Sequence, residues 1–227
     1  MKNIIILLIC CNFINAQNDI KNINSEQGAQ AYQRGDFLNA KISYLKSVEL
    51  YPKNVDNWYN LAATELQLLE TEQACEHFYE AYLLGDYKVV SDIKQFCPNF
   101  RNGLIVSIDE ATEKPKFTHN SKTFDLFEGK VFNKIYIKLL TTALRKSSLF
   151  SNRIQPNEKL YIGLTVNKNG LSITDIRFHN VENQNLDKLK TEITKIITEF
   201  VQYIPAKNNE SPVDLWEKWS LPINITE

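Results

Sequence analysis

Residues 40–52, AKISYLKSVELYP, and residues 74–86, ACEHFYEAYLLGD, align with each other at an offset of 34. Ala40 meets Ala74, Tyr44 meets Phe78, Ser47 meets Ala81 and Leu50 meets Leu84; upstream, Gly28 meets Ala62. Small residues at such positions let two antiparallel helices approach, and the aromatic fills the space between helix pairs. Pro52 closes the first unit and Trp58 opens the second. Gly35-Asp36 suits the turn inside the first pair of helices, and Leu69-Glu70-Thr71 stands at that place in the second. Self-similarity at this period is the signature of stacked helical hairpins.

The spacing resembles that of tetratricopeptide repeats. Each repeat relies on its neighbour to bury a face, so two units need a cap. Val89, Val90, Ile93 and Phe96 recur at helical spacing before Pro98 and predict one. Cys75, Tyr79 and Tyr82 share a face of the preceding helix, so Cys97 at the end of the cap is expected to bond Cys75. The run ACEHFYEAYLLGD followed by QFC also resembles exported repeat proteins in which the two cysteines are joined. The resemblance implies a binding surface on the first helix of each pair: Ser25, Tyr32, Tyr59, Ala63 and Leu66, with Tyr32 and Tyr59 as partner contacts. Peptide cradles usually need three or more repeats, so the block also reads as a packed spacer or docking unit.

The chain starts Met1-Lys2-Asn3, then runs apolar from Ile4 to Cys11 and ends this segment at Ala16-Gln17. A membrane-spanning helix needs roughly 20 apolar residues. A run about half that length, ending in a small residue, predicts an export signal cleaved after Ala16. Ile9 precedes Cys10 where a lipid-attachment box wants a small residue. The expected division is therefore a signal at 1–16, helical repeats with their cap at 17–101, and a second domain at 102–227. Export favours a disulfide between the two remaining cysteines over a metal site. A net charge of −1 at pH 7 lacks the basic footprint of a nucleic-acid binder. Lys130, Lys134 and Lys138 fall at i, i+4, i+8 and read as a solvated helix face.

From Gly103 the pattern changes. Leu104 to Ile108 suits a short strand, followed by a polar stretch through Pro115-Lys116-Phe117. Phe132, Ile135, Tyr136, Leu139, Leu140 and Ala143 mark a helix face. Leu160, Ile162, Leu164 and Val166 alternate with Lys159, Tyr161, Gly163 and Thr165 in a half-buried strand. Asn167-Lys168-Asn169-Gly170 is a turn, and Leu171 to Phe178 returns as the second strand. Its apolar phase slips between Ile173 and Ile176, predicting a bulge near Thr174-Asp175. Leu186, Leu189, Ile193, Ile196, Ile197, Phe200, Val201 and Ile204 form a long helical stripe, with Asn185 placed to cap it and Pro205 to stop it. The last strand is expected to carry Val213, Leu215, Trp219, Leu221, Ile223 and Ile225 in one phase, and Pro222 marks it as an edge strand.

Strand, turn, strand, helix and strand, with VNKNGLSITDI, NLDKL, YIPAKNN and WSLPINI as successive blocks, resemble the C-terminal domain of TonB energy transducers. The likeness covers about Leu104 to Ile225. It implies a small α/β domain with an antiparallel sheet that holds extended peptides, such as outer-membrane receptor segments, by pairing strand edges. THNSKT stands where the family has a proline-glycine segment, and Ser151 to Pro156 stands where it has Tyr-Pro. No retained inner-membrane helix or proline-rich spacer is read, so the likeness implies edge binding without energy transduction. The expected contact strip is Asp214 to Asn224, with Lys218, Ser220 and a solvent-facing Trp216 as anchor.

His77 is two residues from Cys75 on a helix, and the two point to different faces, a poor metal arrangement. No phosphate loop, nucleophile elbow or zinc-protease helix occurs. Asp109-Glu110 and Asp175 are isolated carboxylates. The sequence thus predicts an α+β, non-enzymatic protein without metal, cofactor or nucleic acid. It is expected in the periplasm or at the outer membrane, binding a protein or peptide of the cell envelope. The alternative is a self-associating component of envelope structure or assembly.

Overall fold

The structure, a computed structural model, describes residues 23–148, 159–179 and 185–223. The expected export segment, Ser151 to Pro156 and the Ile225 end of the last strand lie outside them. Contacts divide the chain into two compact units, Met1–Phe100 and Arg101–Glu227. The class is α+β: helical hairpins first, then a mixed region with antiparallel sheets.

The first unit comprises α1 (23–33), α2 (Phe37–Leu50), α3 (Val55–Gln67), α4 (Thr71–Leu83) and α5 (Val90–Phe96), the last preceded by a 3-10 turn at Tyr87–Val89. Side-chain caps start two of these helices: Asp36 accepts from Asn39 N, and Asn54 from Asn57 N. Ala40, Ala62, Ala74 and Ala81 are fully buried, so the small positions of the repeat are where helices meet. A Cβ on Gly28 would stand 2.9 Å from the Tyr44 ring, which leaves room for hydrogen only. Val89 and Ile93 of the cap are buried, whereas Phe96 remains partly exposed. Cys75 and Cys97 are bonded, with Cα atoms 5.8 Å apart.

A buried carboxylate ties three helices together. Glu65 on α3, 1% exposed, lies 2.6 Å from Nδ1 of His77 on α4 and 3.8 Å from Nζ of Lys41 on α2. Lys41 also pairs with Glu70. His77 is therefore engaged with Glu65.

The repeat also places one residue under local strain. Gly35 has φ +75°, and Leu69, its equivalent 34 positions on, has φ +62° with its side chain 87% exposed. A left-handed conformation costs a non-glycine residue roughly 1 kcal/mol, and an exposed leucine recovers little by packing. Leu69→Gly is expected to raise unfolding stability by about 0.5–1 kcal/mol despite glycine's larger entropy loss on folding. A urea midpoint that stays put or falls refutes this.

Among its described residues the second unit has twelve strands and two helices, α6 (Lys134–Lys146) and α7 (Leu186–Glu199). The strands are β1 (Ile105–Val106), β2 (Lys116–His119), β3 (Lys122–Asp125), β4 (Phe127–Glu128), β5 (Val131–Phe132), β6 (Lys159–Asn167), β7 (Gly170–His179), β8 (Gln202–Ile204), β9 (Lys207–Asn208), β10 (Ser211–Pro212), β11 (Asp214–Leu215) and β12 (Lys218–Ile223). The main sheet has the order β12-β6-β7 and a second has β3-β2-β8. Asn167 closes onto Gly170 across Lys168-Asn169, and its Oδ1 accepts from Asn169 N at 2.9 Å. The bulge falls where the alternation slips: Gly163 pairs Asp175 and Leu164 pairs Ile173, leaving Thr174 extra. A Cβ on Gly163 would lie 1.7 Å from Asp175 Oδ1, so the bulged strand rests on a glycine.

Five expectations are corrected. The polar stretch around Pro115 forms two hairpins, β2–β3 and β4–β5. The first turns on Asn120 and Ser121, both at positive φ, without the glycine that usually announces such a turn. Helix α6 buries Tyr136, Leu140 and Leu144, while Ile135 is 43% exposed and Phe132 lies in β5. Helix α7 ends at Glu199, so Ile204 belongs to β8, which pairs with β2. Asn185 occupies the position before this helix without a side-chain capping bond. Finally, the last strand is broken. Its first part, β11, runs parallel to β1, and only β12 joins the main sheet. Across the break, the Glu217 carboxylate accepts from Ile108 N and Trp216 N donates to Val106 O.

The core of this unit centres on aromatic rings. Tyr136 is fully buried between Phe117 and Phe132, with ring centres 5.4 and 5.3 Å away. Its hydroxyl lies 2.6 Å from that of Tyr203, which donates to Ile197 O at 3.1 Å. Tyr203 has one hydroxyl proton and gives it to Ile197, so Tyr136 is the donor within the pair. Three elements, α6, β8 and the last turns of α7, are joined by these two bonds.

Candidate functional site: a tyrosine-lined groove and an open strand edge

Helices α1 and α3 lie side by side in the repeat unit and line an open groove of about 370 Å³. Helix α1 contributes Ala29, Tyr32 and Gln33; α3 contributes Tyr59, Asn60 and Ala63; Tyr44 reaches in from α2. The repeat brings this about: Ala29 and Ala63 are equivalent positions, and their small side chains open the space. Tyr59 is braced by Phe78 at 5.4 Å, and Tyr32 by Phe37 at 5.2 Å. Tyr32, Tyr59 and Ala63 were expected here. Ser25 is used elsewhere: it donates to Asn57 Oδ1 at 2.8 Å and lies 3.3 Å from Ser47 Oγ. Leu66 does not line the groove. Gln33 and Asn60 went unread and Tyr44 was read only as a packing aromatic, although the offset of Ala29 from Ala63 was available as a signal.

Burial raises the Tyr59 phenol above its ordinary value, and the carboxylates of Asp92 and Asp86 push it further. Burial also raises Asp92, with Asp86 adding repulsion. Tyr44 is raised by burial and by Tyr32. Asp86 is fixed by capping the 3-10 turn through Lys88 N at 3.1 Å.

The second candidate is the outer side of β12. Its pairing to β6 matches Trp219 with Leu164, Leu221 with Ile162 and Ile223 with Leu160. The two-residue hairpin closed by Asn167 and Gly170 sets the alternation of β6: Asn167 and every second residue before it face β7, and Leu164, Ile162 and Leu160 face β12. The backbone groups of Lys218, Ser220 and Pro222 therefore point away from the sheet. This is the side on which a proline is tolerated. Among the described residues no strand pairs with that side.

The sequence-expected contacts fare differently. Ser220 is exposed and Lys218 half-buried on this strip. Trp216 is 7% exposed, so the solvent-facing anchor is corrected: it stands in the break before β12, with its main chain tied to Val106. Trp219, expected in the apolar phase of the strand, packs against the core: it stacks on Phe127 at 4.3 Å, and its indole donates to Lys130 O at 3.2 Å. The backbone at Asp214 and Leu215 is occupied by β1, which shortens the open strip to β12. Among the described residues no group of histidine, cysteine and acidic side chains is arranged to hold a metal, and no helix is long and apolar enough to cross a membrane.

A tetratricopeptide repeat model matches residues 43–76, from α2 through α3 into α4. Among solved structures, the N-terminal domain of stress-induced protein-1 (STI-1) from C. elegans is similar, with 27% identity and a TM-score of 0.31. That match covers 34% of this chain and 65% of the other, so the chain spans less than two thirds of its length. No curated protein matches. Neither match indicates an enzymatic family. The N-terminal unit thus contains a tetratricopeptide repeat, a scaffold that serves protein–protein interaction.

Proposed function

We propose that the chain is a non-catalytic protein–protein interaction module of the cell envelope. In this reading its second unit, which resembles TonB C-terminal domains, binds an extended peptide along the outer side of β12. The outward-facing backbone of Ser220, on the terminal strand of the β12-β6-β7 sheet, carries the reading. Main-chain pairing to that edge supplies affinity, and the exposed side chain of Ser220 and the half-buried one of Lys218 supply selection. Export of the chain, with residues 17–101 as the repeat block and 102–227 as the TonB-like domain, belongs to the same proposal. A second reading has support in the sheet itself. Among the described residues both terminal strands, β12 and β7, have an unpaired side, which also suits addition of a second copy.

The test uses Ser220→Pro in the full chain, which removes an outward N–H while leaving the ladder to β6 intact. Peptides selected from an arrayed library of outer-membrane protein segments are expected to bind the original chain and lose about tenfold or more with Ser220→Pro. A thermal melt checks that the variant is folded. Unchanged peptide affinity removes the edge-binding reading. If no peptide binds but sedimentation shows a dimer that Ser220→Pro dissociates, the self-associating reading replaces it.

A further inference from the structure

The two helices of the second unit differ in what their outer faces carry. Helix α7 balances Lys188, Lys190 and Lys195 against Asp187, Glu192 and Glu199. Helix α6, KIYIKLLTTALRK, carries Lys134, Lys138, Arg145 and Lys146 and no carboxylate. The chain as a whole has a net charge of −1 at pH 7, so the charge on α6 is a local excess. Its buried residues Tyr136, Leu140 and Leu144 define one side of the helix. At about 100° per residue, the four cations fall with Thr142 and Ile135 within an arc of roughly 120° opposite them. All six are exposed. Among the described residues no carboxylate pairs with Lys134, Lys138 or Lys146.

Apolar side chains stand at the start of this face. Ile135 is 43% exposed. Val131, on the strand that leads into the helix, is 65% exposed because Phe132 beside it takes the inward position. Lys130 lies 3.1 Å from Asp109, so its charge is already offset and adds little. An acidic peptide or a dissolved polyanion satisfies the cations alone. An anionic lipid surface satisfies both kinds of group: headgroup phosphates meet the ammonium and guanidinium ions, and the acyl boundary takes the branched aliphatics.

We propose that the outer face of α6, with Ile135 and Val131 at its start, rests on an anionic phospholipid surface. The main apolar side of the helix stays in the core around Tyr136, so the attachment is a shallow adhesion and not an insertion. The helix, 13 residues and about 20 Å long, lies along the surface. The site uses no residue of β12 and does not depend on the edge-strand reading.

The test is co-sedimentation of the full chain with vesicles of phosphatidylglycerol and phosphatidylcholine in equal parts, and with vesicles of phosphatidylcholine alone. The apolar run from Ile4 to Cys11 can contribute to either composition, so the difference between them is read. Binding to the anionic vesicles should be about tenfold stronger and should weaken as salt is raised. Lys134→Gln with Lys138→Gln should weaken it about tenfold or more, since each cation near such a surface is worth roughly fivefold. Ile135→Ser with Val131→Ser should weaken it about threefold to tenfold. Lys190→Gln with Lys195→Gln removes the same charge from α7 and should leave binding unchanged. These side chains are all exposed, and a thermal melt checks that each variant is folded. Glycerol phosphate at matched ionic strength should not displace the vesicles. The proposal is overturned by equal binding to both compositions or by an unaffected α6 lysine variant. An equal loss from the α7 pair marks net charge alone and also overturns it. If the serine variant binds as the parent does, or glycerol phosphate displaces the vesicles, the face attracts anions at large and the lipid assignment falls.

Discussion

Replacing Cys75 and Cys97 together with alanine is expected to lower the stability of the repeat unit by roughly 3 kcal/mol, the chain-entropy value for a loop of this size. The bond closes a loop of sequence separation 22 that holds α4, the 3-10 turn and α5. Two repeats expose a terminal face, and α5 is the cap that covers it, yet the cap is a seven-residue helix. So short a helix has little stability of its own, and its hold rests on Val89, Ile93 and the disulfide. Both cysteines are buried, 6% and 5% exposed, so alanine is a better control than serine, which would bury a hydroxyl. Reduction of the original protein should reproduce the loss. Urea unfolding followed by circular dichroism, before and after reduction, measures it. A double variant within about 0.5 kcal/mol of the parent would show that packing alone holds the cap.

The second large effect is an alkaline limb in the stability of the sheet-containing unit. Burial raises the phenol of Tyr136 well above its ordinary value, with the neighbouring Tyr203 adding to this. Burial raises Tyr203 as well, partly offset by its bond from Tyr136. Their full stabilisation is present below about pH 10, where tyrosines of the unfolded chain keep their protons. Above that the unfolded state releases protons that the folded state retains. Stability therefore falls as pH rises from the unfolded value toward the raised folded one, by about 1.4 kcal/mol per pH unit for each tyrosine still protonated. Urea midpoints from pH 8 to 12 should show this slope. The Tyr136→Phe, Tyr203→Phe double variant should start lower, having lost the bond to Ile197 O, and should decline less steeply. Parallel slopes for the two proteins would assign the alkaline limb to other groups.

How legible the molecule was depended on where the energy of each choice is stored. The offset of 34 exposed the small buried positions because close helix approach is a local demand repeated twice, at Ala40 and again at Ala74. The bulge at Thr174 showed because strand periodicity is strict, and one extra residue inverts every face after it. Turns were harder. Asn120-Ser121 and Asn209-Glu210 take positive φ without glycine, so two hairpins carried no turn signal. The end of α7 was misread because Phe200, Val201 and Ile204 continue the helical stripe. What stops the helix is pairing of Gln202–Ile204 with β2, more than eighty residues away in sequence, and the bond from Tyr203 back to Ile197.

The sites divide the same way. Tyr32 and Tyr59 were readable as groove residues because repeat position decides which helix face they occupy. Gln33 and Asn60 were not, since only the packing of α1 beside α3 brings them to one groove. Trp216 looked like an exposed anchor because alternation was carried through from Leu215, but pairing of β11 with β1 breaks the strand there and buries the indole. Sequence alone determined the repeat, the principal hairpin and the edge character that Pro222 imposes, because helix packing, pleat and ring geometry act over a few residues. Tertiary structure alone decided where the last segment breaks and which of its two parts joins the main sheet. Those outcomes depend on pairings between residues distant in the chain, whose free energy no local pattern records.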